Sequence, residues 1–324
     1  MKATAKAHTN IALIKYWGKR EESIILPTNN SLSLTLDGFY TTTSVKFNKD
    51  FTEDEFFLDG KKVTGVPYDR VSGFLDLIRD LAGKKVYASV ESVNEVPTAA
   101  GFASSASGFA ALAAAGAKAI GLGLNDQELS RLTRQGSGSA CRSIYGGFAE
   151  WRMGFMEDGS DSYAVPVAPV EHWDLRVAAV VLDAKMKKVS SRDGMRRTVE
   201  SSPFFAGWLD SISVDLREIK SGIEARDFEK VGKIAEANCL KMHATTLGAK
   251  PPFTYWIDTT LTVMQRVREL RENGIPAYFT IDAGPNVKVL YLPENEKQIH
   301  ESLQRIPGVL DVRLSKPGHG ISYL

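Results

Sequence analysis

One stretch limits the possible folds of this chain more than any other: Pro97-Thr98-Ala99-Ala100-Gly101-Phe102-Ala103-Ser104-Ser105-Ala106-Ser107-Gly108. Before it, Lys85 to Val90 has the aromatic and β-branched content of a strand; after it, the alanine-rich run Phe109 to Ala115 predicts a helix. Gly101 admits close approach of the backbone to a ligand, and Ser104, Ser105 and Ser107 set hydroxyls at the helix start. The free N–H groups of a helix N-terminus, with its dipole, form a phosphate site. A Walker loop is excluded because no Gly-Lys-Ser/Thr follows, and the G-x-G-x-x-G spacing of a dinucleotide fingerprint is missing. Two readings of the stretch remain, a phosphate cradle and a serine-capped helix after a glycine turn.

At 324 residues the chain can hold a sizeable core divided between two lobes, with a boundary expected near residues 184 and 185. Hydrophobic residues at 43% and charged residues at 24% suit a soluble globular protein. A formal net charge of +1 gives no reason to expect nucleic acid or a membrane surface as partner, and leaves anionic small molecules to local cationic groups. Cys141 and Cys239 are the only cysteines, which excludes a disulfide-rich scaffold and a multi-cysteine zinc centre and fits a reducing cytoplasm. The most apolar stretch, 109 to 124, is interrupted by Lys118 and glycines, and no apolar signal core follows Met1. A cytoplasmic protein is expected.

Residues 2 to 17 read as a strand entering a turn. Lys15 and Lys19 flank Tyr16 and Trp17, either as an aromatic-backed anion site or as solvated lysines. Alternating Leu32, Leu34 and Leu36 predict a strand with one buried face, Tyr40 to Phe47 another β run, and Asp59-Gly60 a hairpin. Helical spacing of Val71, Phe74, Leu75 and Ile78 predicts a helix over 68–82. Asn125-Asp126-Gln127-Glu128 carries a helix-start signature. Beyond it, Gly136-Ser137-Gly138-Ser139-Ala140-Cys141-Arg142-Ser143 is a second Gly/Ser run able to wrap N–H groups around an oxyanion, with Arg142 as a bidentate donor.

The second half begins with the apolar strand Leu175 to Leu182. A basic run through Ser190, Ser191, Arg192 and Met195 comes next, then helices over 203–247 and 253–273. No ligand-spaced partner accompanies His243, which reads as a packed, hydrogen-bonded histidine. Ala277 to Ile281 is a buried-type strand that runs out in Asp282, beside Gly284-Pro285. A carboxylate there is costly unless paired or used, although an Asp often simply forms its own turn. A closing strand–helix–strand pattern suits a ferredoxin-like lobe.

In this order, Asn10 to Lys19, Pro97 to Gly108, Gly136 to Ser143, Ser190 to Met195 and Asp282 to Val287 resemble the diphosphomevalonate decarboxylase family of the GHMP small-molecule kinase superfamily. The resemblance spans nearly the whole chain. Phe102 stands where the superfamily loop more often has Leu. It implies an α+β, two-lobed GHMP kinase fold, with a ribosomal-protein-S5-like N-terminal lobe over 1–184 and a ferredoxin-like lobe over 185–324. It also implies that ATP and mevalonate 5-diphosphate give isopentenyl diphosphate, carbon dioxide, ADP and phosphate in a cytoplasmic homodimer.

By that resemblance Asp282 takes the hydroxyl proton, Lys19 places that carboxylate, and Arg142 and Asn10 address the substrate carboxylate. Tyr16, Lys19, Ser137, Gly138, Ser139, Ser191 and Arg192 would hold the diphosphate, with Met195 as an apolar wall. Pro97, Ala100, Gly101, Ala103, Ser104, Ser105 and Ser107 would hold ATP. Mg²⁺ would ride on the phosphates, with Ser105 the one side chain for it. Lys19 with Asp282 favours the decarboxylase over a plain kinase, and Ser137, Ser139 and Arg192 favour a diphosphate over a monophosphate. A non-catalytic ligand sensor of this fold would have lost the acid or the loop.

Overall fold

The computed structural model describes residues 1–95, 104–182 and 188–324, the side chain of Ser104 excepted. The chain opens with β1 (Lys2–Ile14), β2 (Lys19–Glu21), β3 (Leu26–Pro27), β4 (Ser31–Asn48), β5 (Glu55–Leu58) and β6 (Lys61–Lys62). Then come α1 (Val66–Ala82), β7 (Tyr87–Asn94), α2 (Ser104–Ile120) and α3 (Asp126–Gly136). A short 3-10 helix (Gly138–Ile144), β8 (Phe148–Trp151) and β9 (Ala164–Ala168) complete this part. The two β runs expected on either side of Asp37-Gly38 are one strand, β4, which pairs antiparallel with β1 along most of its length. At Gly38 the strand passes close to Ser315, whose Oγ accepts from the Gly38 N–H at 3.1 Å and would lie 3.3 Å from an added Cβ.

α2 lies across β1 and β4, and its alanines explain how closely. Ala106, Ala110, Ala113 and Ala114 are fully buried against Ala5, Ala7 and Val45, so methyl groups meet methyl groups. α1 closes this core with Phe74, Leu75 and Ile78 and stops at Gly83, whose φ is +62°. α3 starts with the expected capping box: Asn125 Oδ1 accepts from the Glu128 N–H at 3.0 Å, and Glu128 accepts from the Asn125 N–H at 2.9 Å.

The second lobe contains β10 (Arg176–Val181), α4 (Ser191–Ser201), α5 (Phe205–Ala225), α6 (Phe228–Leu247) and α7 (Asp258–Glu272), followed by β11 (Ala277–Ile281), β12 (Val287–Tyr291), α8 (Glu296–Gln304) and β13 (Asp311–Ser315). Its sheet has the order β11-β12-β10-β13 and is antiparallel throughout, the split strand–helix–strand arrangement that the closing pattern predicted. β10 therefore belongs to this sheet, and the lobe begins by Arg176 rather than after residue 184. A hydrophobic strand ahead of the basic run reads equally well as the end of one lobe or the start of the next. Only its pairing with β12 and β13 decides.

The helical region 203–247 is two helices. Arg226 at φ +55° breaks it, and Asp227 caps the second by accepting from the Lys230 N–H at 3.0 Å. The last strand, β14 (Ser322–Tyr323), returns to β1, and Leu36 bridges Pro317, so the chain end crosses back to the first sheet.

β10 alternates between two cores. Val177, Ala179 and Val181 face α5, α6 and the leucines of β4, while Ala178 and Val180 face α7 and α8. The first of these cores joins the lobes. No helix among the described residues is long and apolar enough to cross a membrane.

The seat of α6 on β11 rests on Gly232: an added Cβ would lie 2.0 Å from the Tyr278 ring. Gly232→Ala should therefore lower stability by about 1–3 kcal/mol through overpacking, despite alanine's better helix propensity. Urea denaturation would measure it, and an unchanged midpoint would mean that the ring moves aside freely.

Candidate active site

A cleft of about 490 Å³ opens where β1 and β11 run out and α2 and α4 begin. β1 contributes Asn10 and, just past its end, Lys15 and Tyr16. α2 contributes Ser105, the Gly/Ser run Ser137 to Ser139 and Arg142, and α4 Ser191, Arg192 and Met195. Asp282 closes the far side. Two anion-binding devices meet here: the N-terminal ends of α2 and α4, and a ring of basic side chains.

Arg142 is 1% exposed, and its side chain bonds neutral groups among the described residues. Its Nε donates to Ser33 Oγ at 2.9 Å, Nη1 to Ser31 Oγ at 2.6 Å and Nη2 to Asn10 Oδ1 at 3.2 Å. Asn10 in turn donates to the Ser139 carbonyl at 2.9 Å and the Ser143 hydroxyl at 2.8 Å. The guanidinium is thus locked in direction while its charge stays available to an anion. Gly138 is small for a reason: a Cβ there would lie 2.8 Å from the Trp151 ring and 2.9 Å from Tyr16, which meet edge-on at 4.7 Å. Burial pushes the Tyr16 phenol up, so it stays a neutral donor.

Asp282 sits between two lysines. Lys15 Nζ lies 2.7 Å from Oδ1 and also donates to the Ala12 carbonyl at 2.9 Å, and Lys288 Nζ lies 3.4 Å from Oδ2. Burial by itself would raise the carboxyl pKa. The two ammonium groups outweigh that and hold it well below the usual carboxylate range. The result is a carboxylate that rests ionised at neutral pH on the cleft wall.

Comparison with known proteins places this geometry. The family model of the diphosphomevalonate decarboxylase-like N-terminal domain matches residues 7–164, and that of the mevalonate 5-diphosphate decarboxylase C-terminal domain matches residues 177–312. The diphosphomevalonate decarboxylase of Homo sapiens is 40% identical over 311 residues, covering 90% of this chain and 77% of its own. That of Ganoderma lucidum is 39% identical over 322 residues, covering 92% and 80%.

The chain belongs to the diphosphomevalonate decarboxylase family. Crystallised mevalonate diphosphate decarboxylase from Staphylococcus aureus superposes with a TM-score of 0.96 at 49% identity, covering 100% of this chain and 98% of its own. The decarboxylase termed MDDEF, solved in complex with MVAPP, AMPPCP and magnesium, superposes with a TM-score of 0.94 at 49% identity, covering 100% and 99%.

Against the expectations drawn from the family motifs, most site residues converge. Asn10, Tyr16, Lys19, Ser105, Ser137, Gly138, Ser139, Arg142, Ser191, Arg192, Met195 and Asp282 all line the cleft. Pro97, Ala100, Gly101 and Ala103 lie outside the described residues, as does the side chain of Ser104. Two expectations need correction. Lys19 does not place Asp282; its ammonium pairs with Glu22, and Lys15 holds the carboxylate instead. Beyond the end of β1 at Ile14, Gly18 at φ +104° lies between the two lysines, and Lys19 opens β2. Ser107 does not face the cleft. It is fully buried, and its hydroxyl meets Thr41 Oγ1 at 2.8 Å and Thr9 Oγ1 at 3.3 Å beneath α2.

Sequence reasoning missed Arg70 on α1, which reaches the cleft beside Arg192 and donates to the Gly136 carbonyl at 3.4 Å. It also missed Lys288, hidden inside the apolar strand β12. Neither carries a local motif. Among the described residues no group of three or more His, Cys, Asp or Glu side chains could hold a metal ion.

The ion pair makes a titration prediction. Because the folded Asp282 pKa is depressed, its ionised form adds stability above the unfolded value near pH 4, and this contribution is lost as pH falls below it. Carboxyl ¹³C NMR should show no Asp282 titration between about pH 4 and 8. Lys15→Met should raise the midpoint and Lys19→Met should leave it in place; equal responses to the two would contradict the pairing.

Proposed function

We propose that this protein catalyses the ATP-dependent decarboxylation of mevalonate 5-diphosphate to isopentenyl diphosphate, carbon dioxide, ADP and phosphate, by way of phosphorylation at the 3-hydroxyl. The observation that carries this reading is one cleft in which five cations, Lys15, Lys19, Arg70, Arg142 and Arg192, surround a single carboxylate, Asp282. That charge pattern suits two polyanions brought together around one proton acceptor. The family supplies the substrates that fit it.

A tertiary hydroxyl is a poor leaving group, so the γ-phosphoryl of ATP is first transferred to it. Asp282 takes the proton from that hydroxyl as the O–P bond forms, while Lys15 aims the carboxylate and offsets charge during transfer. A depressed pKa makes Asp282 a weak base but leaves its carboxylate unprotonated at neutral pH, with an oxygen electron pair free to take the proton, which suffices where the proton leaves late. The bond to the carboxylate carbon then breaks, its electron pair becomes the new C=C bond, and phosphate departs with the C–O pair. Arg142 holds the departing carboxylate. The charge it stabilises disappears with carbon dioxide, so its value is orientation of the breaking bond against the leaving phosphate.

Tyr16, Lys19, Ser137, Gly138, Ser139, Ser191, Arg192 and Arg70 form the diphosphate anchor in this reading, and Met195 the wall along the carbon chain. Ser105, at the start of α2, addresses the ATP phosphates. Ser105, a hard oxygen donor lining the cleft, would be the side chain to hold a magnesium ion brought in with the ATP phosphates. When bound, that ion neutralises phosphate charge. A cytoplasmic homodimer belongs to the same family-based reading.

Purified protein with ATP, Mg²⁺ and mevalonate 5-diphosphate should release ADP and carbon dioxide in equal amounts, and neither mevalonate nor its monophosphate should replace the diphosphate. ADP without carbon dioxide would make it a kinase, and preference for the monophosphate would move the substrate. Asp282→Asn should leave both KM values nearly unchanged and lower kcat by roughly 10²–10⁴-fold. Near-normal turnover in that variant removes Asp282 from the mechanism.

A further inference from the structure

β11 is the outer strand of its sheet, so the outward N–H and C=O groups of the strand leading to Asp282 have no neighbouring strand to pair with. Side chains of α6 stand in for one. Glu236 Oε2 accepts from the Phe279 N–H at 3.1 Å, and Cys239 Sγ accepts from the Ile281 N–H at 3.1 Å. The Ile281 carbonyl accepts from the Cys239 thiol at 3.4 Å and from His243 Nε2 at 3.2 Å. Residues 236, 239 and 243 follow helical spacing along one face, so a single rigid element grips the edge at its last residue before Asp282.

The same helix grips the other half of the ion pair. Asn238 Oδ1 accepts from the Lys15 backbone N–H at 2.8 Å, while its Nδ2 donates to Asp215 Oδ2 at 2.8 Å. The carboxylate of Asp215 fixes which way the amide points. Asn238, Cys239 and His243 are 0%, 0% and 1% exposed. His243 faces a carbonyl through Nε2, so that nitrogen carries the hydrogen, and Nδ1 has no hydrogen-bond partner among the described residues. Burial, reinforced by the nearby Lys15 ammonium, pushes its pKa down to about 3, so the ring is a neutral donor. The ring packs against Trp256, tilted at 4.9 Å, and edge-on with Tyr255 at 6.3 Å.

We propose that Asn238, Cys239 and His243 are positioning residues: through one helix they set the separation and aim of Lys15 and Asp282, whose backbones arrive from different sheets. The inference rests on the roles given above to Lys15 and Asp282. None of the three touches the reacting atoms. Their effect is geometric, and misplacement of a reacting group by about 1 Å is enough to cost on the order of 10²-fold in rate.

The test compares variants that keep or remove each contact. His243→Gln and Cys239→Ser keep a donor near the Ile281 carbonyl; His243→Leu, Cys239→Ala and Asn238→Leu remove the contact. The removing variants should lower kcat by roughly 10–100-fold with both KM values within about twofold, and the keeping variants should recover most of the loss. A crystal structure of His243→Leu, or of Cys239→Ala should the leucine variant not fold, should show Asp282 displaced from its 2.7 Å contact with Lys15. Unchanged kcat in the folded removing variants, or equal losses in keeping and removing variants with both KM values raised, would overturn the proposal. Wild type and Asp282→Asn run alongside. If Asp282→Asn turns over normally, the catalytic reading fails by itself, and the Lys15–Asp282 distance alone decides the positioning claim.

Discussion

The contact between Lys15 and Asp282 joins residues 267 positions apart, and the geometry of the site depends on it. One partner lies just past β1 in the first sheet, the other just past β11, the edge strand of the second. A buried ammonium facing a partly buried carboxylate is costly to strip of water, and the pair persists here because both groups are multiply held. Lys15 also bonds the Ala12 carbonyl, which Thr280 Oγ1 approaches at 3.3 Å from the second sheet. The pair is therefore part of the seam between lobes as well as part of the site. Lys288 adds a second positive charge, which helps keep the carboxylate ionised.

The rest of the cleft follows a complementary rule. Its cations are oriented by neutral groups instead of being cancelled by acids. Ser31, Ser33 and Asn10 aim Arg142, and a backbone carbonyl receives Arg70. Lys19 is the exception, matched to Glu22 at the outer rim. Burial, and then the nearby Arg192 guanidinium, disfavour the charge on Arg70, a cost that an anion bound beside it would offset. Like charges gathered without counterions describe a receptor for polyanions more directly than any single motif does.

Size matters as much as charge. α2 comes down on β1 and β4 through alanines, Gly138 lets Tyr16 and Trp151 close over the Gly/Ser run, and Gly232 lets α6 settle on Tyr278. These contacts bring helix starts and strand ends into one cleft. Enlarging any of them would move the groups that the chemistry needs to meet.

Much of this was readable from residue order. The strand before Pro97, the alanine helix after Ser104, the capping box at Asn125 and the family motifs in sequence sufficed for the two-lobed fold and most of the cleft's lining, because each is local chemistry. Other features were not local. Lys15 and Lys19 flank the same aromatic pair, with Gly18 at positive φ between them, yet one meets Asp282 and the other Glu22. Ser107 differs from Ser105 only in which side of a helix it occupies relative to two threonines on neighbouring strands. The strand 176–181 carries no mark of the sheet it will join, and Lys288 looks like an interruption in an apolar run until Asp282 is folded against it. Local sequence determines elements, caps and the inventory of charges, since propensity and hydrogen bonding act over a few residues. Which charges meet is decided only when distant strands and helices pack, because burial is what makes one pairing cheaper than another.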